Sequence, residues 1–235
     1  MKTIGILGGM GPEATADLFV RIIRLVRATR DQDHPRVIID SNSQIPDRTA
    51  AIKGEGPSPL PALVETARNL QRAGAELIAM PCNSAHAWYD EIAAAVDVPV
   101  LHMIRLTAEE TCRRLHRDSA APPSGPVLVL ATSGTIQSGL YQRALGALGL
   151  DAAVPEPGAQ ARVMEAIYQV KAGKPAVARS LALDVLVSET ARLAPAAVIL
   201  GCTELPLVLG QGDLDRPVVD STEVLARAAV QAALG

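Results

Sequence analysis

The two halves of this 235-residue chain repeat one another, and that constrains the fold more than any single motif. "IGILGGMG" (4–11) and "VLVLATSGT" (127–135) are apolar strands running into small residues. "LIAMPCNSAH" (77–86) and "VILGCTELP" (198–206) are apolar strands running into a cysteine followed by a hydrogen-bonding residue. "VPVLHMIRLTAEET" (98–111) and "RPVVDSTEVLARAA" (216–229) are Pro-Val strands leading into a Thr-Glu helix. Three matched segments in the same order imply two lobes of one plan.

Between these markers, short apolar runs alternate with longer amphipathic ones. Strands are expected at 3–9, 36–41, 75–81, 98–104, 126–132, 196–202 and 216–221. Helices are expected at 12–28, 60–74, 85–96, 107–117, 139–149, 161–173, 175–194 and 222–234. Pro12 suits a first helical turn, and Gly74 a helix end. Residues 42–59, rich in Pro and Gly, read as loop, and 121–126 as a linker. Strand–helix alternation with short connections predicts an α/β fold: mostly parallel sheet flanked by helices, with right-handed crossovers. We assign residues 1–104 plus 209–235 to the first lobe and 105–208 to the second.

Composition narrows the function. Hydrophobic residues are 49%, enough for a substantial core, and are dominated by aliphatic types. A net charge of −3 gives no basic field for nucleic acid, and 2% aromatic residues supply no base-stacking platform. The apolar stretch in "MKTIGILGGMG" is too short for a signal peptide, and no run is long enough to span a membrane. A cytoplasmic location is therefore expected. There Cys82, Cys112 and Cys202 stay reduced, and an odd count argues against a disulfide framework.

Ligands of parallel sheets sit beyond the carboxyl ends of the strands. Cys82 and Cys202 stand there, in matched contexts. If the lobes face each other about a pseudo-twofold axis, the two thiols meet from opposite sides of one cleft. Cys112, inside the amphipathic "TAEETCRRLHR", reads as a small hydrophobe instead. A metal site needs three or four ligands, and "PCNSAH" offers only Cys82 and His86, so no metal is expected. "GGMG" has neither dinucleotide spacing nor a phosphate-binding lysine.

The segments "MKTIGILGGMGPEAT", "NSQIPDRT", "MPCNSAH", "ATSGT", "VKAG" and "GCTELP" together resemble the aspartate racemases of the aspartate/glutamate racemase superfamily. The resemblance covers essentially the whole chain. It implies two α/β lobes with the active site between them, catalysis without pyridoxal phosphate or other cofactor, aspartate as substrate, and a homodimer. It also implies a reason for the paired thiols. A thiolate removes the Cα proton from one face while a thiol returns a proton to the other, and Cys82 and Cys202 exchange roles with the enantiomer. Asn83, Ser84 and Thr203 flank these thiols and can hydrogen-bond them. His86 can orient the loop, tune Cys82, or simply start a surface helix.

Arg48 in "IPDRT" and Lys171 in "VKAG" match the family's cationic positions and would hold the substrate's side-chain carboxylate. Backbone N–H groups after the strands, at Asn83, Ser84, Ser133, Gly134 and Thr135, are candidates for the α-carboxylate. Thr132 joins them as the residue closing its strand. Gly8, Gly9 and Met10 are expected to let backbone approach the ligand. Ser84 stands where many relatives carry Thr, which bears on substrate fit. Glu204 is read either as a residue supporting the site from behind the thiol or as a helix-start residue, without a proton-transfer role. The competing readings are a glutamate or broad-specificity racemase, a maleate isomerase or arylmalonate decarboxylase of the same superfamily, or a catalytically silent amino-acid binder.

Overall fold

A computed structural model describes residues 1–117 and 124–235. Of the linker expected at 121–126, residues 121–123 lie outside the described residues. The described chain divides into two compact units, Met1–Met103 with Thr222–Gly235, and Ile104–Ser221.

The first unit is built on a parallel sheet whose strands β1 (Ile4–Gly8), β2 (Val37–Ser41) and β3 (Leu77–Ala79) lie in the order β2-β1-β3. Central β1 is buried at every residue, as its unbroken apolar sequence requires. Edge strand β2 is not, and Ile39 is 40% exposed. Helices α1 (Pro12–Leu25), α2 (Arg48–Lys53), α3 (Leu60–Arg72) and α4 (Tyr89–Ala94) connect and cover the strands. Pro stands at the start of α1 and α3, where a missing N–H removes no helical bond.

In the stretch read as loop, α2 is a genuine helix. The Asp47 side chain accepts from Ala50 N–H at 2.8 Å, and Gly54 closes the helix in the left-handed region at φ 75°. Residues 98–104, expected as a strand, contribute one parallel bridge, Val100 to Ile78. A helix, α5 (Met103–Arg117), then takes over. The helix expected at 85–96 is split into a 3₁₀ turn, Ser84–Trp88, and α4.

The second unit holds β4 (Val127–Ala131), β5 (Ala152–Ala153), β6 (Ala197–Gly201) and β7 (Val218–Asp220), all parallel in the order β5-β4-β6-β7. Around it lie α5, α6 (Ser133–Gln137), α7 (Leu140–Gly146), α8 (Pro157–Lys171) and α9 (Pro175–Leu193). The short α6 and two-residue β5 carry too little periodicity to be read from sequence. Strand β7 pairs with β6, so residues 209–221, assigned above to the first lobe, belong to the second unit.

The repeat survives in the topology. In each unit a central strand has the cysteine-bearing strand on one side, and the Pro-Val segment pairs beyond that strand. The helix after each Pro-Val segment is exchanged. Helix α5 follows the first unit's last pairing segment but packs in the second unit, where Arg114 Nη1 donates to Val218 O at 3.1 Å. Conversely α10 (Ser221–Leu234) follows β7 but, from Thr222 on, packs in the first unit. There Glu223 pairs with Arg21 at 3.4 Å, and Lys2 N–H donates to Ala233 O at 2.8 Å.

Candidate active site

In the first unit, β3 delivers Cys82 to the strand's carboxyl end, where a tight turn (Cys82 N–H to Met80 O, 2.8 Å) stops the extended chain. The thiol is 4% exposed and lies 3.5 Å from Ser84 Oγ. Asn83 and Ser84 are buried with it, and Met10 and Ile45 belong to the same apolar cluster. Gly9 has a packing role. At φ 91° it brings backbone against backbone, and a Cβ there would fall 2.3 Å from the Asn42 carbonyl carbon. Its N–H is taken by Thr15 Oγ1 at 2.8 Å.

Arg48 opens α2, which packs beside the Ser84–Trp88 turn. It is 9% exposed, and its Nη1 donates to Ile45 O (3.1 Å) and Pro46 O (2.9 Å). Its buried Nε has no partner among the described residues. An unpaired buried donor costs about 1–3 kcal/mol, which a bound anion would offset.

His86 is buried rather than a surface residue. Its Nδ1 lies 2.8 Å from Cys82 O, and its Nε2 accepts from Met103 N–H at 3.0 Å. The ring is thus the neutral tautomer with the proton on Nδ1. Within the first unit it ties the cysteine loop to Met103. Burial holds the imidazole down at about 4, against a lesser upward pull from the Cys82 carbonyl. The unfolded-state value, near 6.5, is higher, so the unfolded chain binds the extra proton. Stability from His86 is therefore full above pH 6.5 and is lost as pH falls through about 4, a loss of about 3 kcal/mol. Urea titrations between pH 4 and 7 should show this slope in the wild-type chain and a shallower one in His86→Gln. Equal slopes would mean that the ring takes up its proton alike in the folded and unfolded chains.

In the second unit, β6 delivers Cys202, 5% exposed, in the corresponding place. Its Sγ donates to Glu204 Oε2 at 2.9 Å, and Thr203 Oγ1 lies 3.4 Å from the same oxygen. The other carboxylate oxygen, Oε1, is 3.7 Å from Lys171 Nζ at the end of α8. Burial pushes the Cys202 thiol well up. The Glu204 charge and its accepted hydrogen bond add to this, while the Glu204 backbone and Lys171 pull it down.

At the end of β4, Thr132 caps α6. Its Oγ1 accepts from Thr135 N–H at 3.2 Å, so that amide is committed within the chain. Ser133 N–H rests on the thioether of Met164 at 3.2 Å, a weak acceptor that an anion can displace. Gln160 Nε2 reaches Ala131 O (3.0 Å) and Ser133 Oγ (3.2 Å).

The family profile described as Asp/Glu/hydantoin racemase matches residues 7–229. A broad specificity amino-acid racemase of Bacillus subtilis, RacX, is 31% identical over 233 residues, 97% of this chain and 96% of that protein. The chain belongs to the Asp/Glu/hydantoin racemase family. Among solved structures, the aspartate racemase of Picrophilus torridus has a TM-score of 0.86 at 31% identity, covering 99% of this chain and 94% of that one. An aspartate racemase homologue from Pyrococcus horikoshii gives 0.77 at 29% identity over all of both chains.

For a chain of this racemase family, the structure adds residues that sequence reasoning passed over. Glu204, read as either a supporting or a helix-start residue, contacts the Cys202 thiol directly. Gln160 and Met164, one turn apart on α8, reach the end of β4, and the expected Lys171 at the end of the same helix reaches Glu204 beyond β6. Tyr141 lies beneath Cys202, its ring against Gly201, where an added Cβ would come within 2.9 Å. Its hydroxyl hydrogen-bonds with Thr107 and Ser221, and burial keeps the phenol neutral. Cys112 is half-buried on α5. Among the described residues, no group of three His, Cys, Asp or Glu side chains is placed to hold a metal ion. No described helix is long and apolar enough to cross a membrane.

Proposed function

We propose that the chain racemises aspartate with its own thiols, Cys82 and Cys202 acting as the two bases. The observation that carries this reading is the matched placement of two buried, unbridged cysteines, each just past the strand that neighbours a central parallel strand. In one direction the thiolate of one cysteine takes the Cα proton and becomes a thiol. The other thiol delivers its proton to the opposite face of the carbanion and becomes a thiolate. The reverse reaction exchanges the roles. Asn83, Ser84 and Thr203 stabilise the thiolates by hydrogen bonds. Because Cα–H is a very weak acid, most of the barrier must be lowered by fixed donors around the developing negative charge. Ser133 and Gly134 amides, with Met10 and Thr132 beside the strand ends, serve the α-carboxylate. Thr135 acts through its cap with Thr132. Thiol chemistry needs a reducing compartment, which favours the cytoplasm, and we propose a homodimer on family grounds.

Arg48 is the main anchor for the side-chain carboxylate, because its buried Nε awaits an acceptor. Lys171 adds charge from a position it shares with Glu204. That sharing, with the resemblance to the Bacillus broad-specificity enzyme, supports a second reading in which other amino acids are also turned over. One assay decides between them and the remaining classes. Enantiopure L-aspartate and a panel of neutral L-amino acids are followed by optical rotation and by concentration. Loss of rotation at constant concentration is expected for aspartate. Loss for neutral amino acids at similar rates would establish the broad reading. Consumption of substrate would indicate a decarboxylase, and unchanged rotation a binding protein.

A further inference from the structure

The two thiols have unlike neighbours. Cys82 meets a neutral hydroxyl at 3.5 Å, whereas Cys202 donates to a buried carboxylate at 2.9 Å. That carboxylate is itself held by an ammonium at 3.7 Å. We propose that Glu204 is a positioning residue that keeps Cys202 protonated in the resting site, with Lys171 as its counter-charge. The two thiols then enter the reaction unequal. This deepens the racemase reading and rests on it.

A thiol beside a carboxylate gains a charge-assisted hydrogen bond. A thiolate in the same place loses that bond and gains repulsion in a site screened little by water. Every charged or titratable group at this position acts in a definable sense. Glu204, on the turn after β6, opposes the thiolate. Lys171, on α8, favours it and also fixes the carboxylate that opposes it. Tyr141, on α7, is neutral, and Asp220, at the end of β7, acts on Tyr141. Removing the Glu204 charge therefore leaves Lys171 to favour the thiolate without opposition, and removing Lys171 does the reverse.

The proton inventory follows. With Cys202 carrying the proton, the resting enzyme holds Cys82 as the available base and accepts the enantiomer whose Cα–H faces Cys82. The other enantiomer must meet the minor form, in which Cys202 is the thiolate. The equilibrium constant between enantiomers is unity, so kcat/KM is the same in both directions. The asymmetry falls instead on KM and kcat, both higher for the enantiomer that needs the minor form.

The test uses the full chain carrying Cys82→Ser and Cys112→Ser, so that Cys202 is the sole thiol. Its alkylation by iodoacetamide, a neutral reagent that the carboxylate does not repel, is measured against pH. In the added presence of Glu204→Gln, which keeps shape and removes charge, the midpoint should fall by about one pH unit or more. Each such unit speeds alkylation at neutral pH by roughly threefold, since lower nucleophilicity offsets part of the gain in thiolate. Lys171→Met should move the midpoint the other way and slow the reaction. Opposite shifts establish the role. An unmoved or raised midpoint in Glu204→Gln would overturn it, and so would acceleration in both variants, which marks loosened packing. No amino acid is present, so the outcome is independent of whether the unmodified chain racemises aspartate.

Discussion

Cys82→Ala and Cys202→Ala should each reduce aspartate racemisation by at least about 10³-fold, while Cys112→Ala retains most of it. A positioned acid or base contributes about 10²–10⁴-fold, and each direction of the proposed reaction needs one of each. Alanine at either position leaves one face of the carbanion without a thiol to give or take the proton, and the side chains bonded to the two thiols are poor substitutes. Ser84 is a neutral hydroxyl, and Glu204 is oriented by Lys171. Both cysteines sit in apolar clusters that tolerate loss of one sulfur atom, so the variants should fold. The measurement is circular dichroism of L- and D-aspartate at saturating substrate, with melting temperatures as the folding control. Retention of a tenth or more of the wild-type rate by either variant would sink the two-thiol assignment.

Arg48→Ala should lower kcat/KM for aspartate roughly 30- to 4000-fold, corresponding to the about 2–5 kcal/mol lost when one member of a desolvated charge pair is removed. The guanidinium uses Nη1 to hold the Ile45 and Pro46 carbonyls, leaving the Nε side for an incoming carboxylate. Arg48→Lys restores charge but not the planar fork, so it should recover only part of the loss. Alanine, a neutral substrate, should be turned over equally poorly by all three proteins. A loss below about threefold in Arg48→Ala, no larger than an exposed ion pair gives, would place this residue outside the site.

Much of this site is written in the chain at the level of residue order. The strand–cysteine segments and the repeat can be read because strand-length apolar runs and their small-residue endings are local. What escaped reading depends on contacts distant in sequence. Residues 98–104 and 216–221 look alike, yet one gives a single bridge and the other a strand. In the first case His86, from another loop, takes Met103 N–H and starts a helix. Assigning 209–221 to a lobe required knowing that β7 pairs with β6. The helix at 48–53 was legible in principle, since Asp47 and Gly54 are a cap and a stop, but the surrounding Pro and Gly outweighed them. Glu204 is legible as a supporting residue, but its direct bond to the thiol is not. Its direction is set by a turn and by Lys171, thirty-three positions earlier.

The helix exchange gives the chain a temporal order. During translation every strand and covering helix of the second unit has been made by Ser221, so that unit can close as soon as it clears the ribosome. The first unit, made earlier, lacks α10 and its bonds to Arg21 and Lys2 until residues 222–234 emerge. The first-made half of this protein is thus the last to be completed.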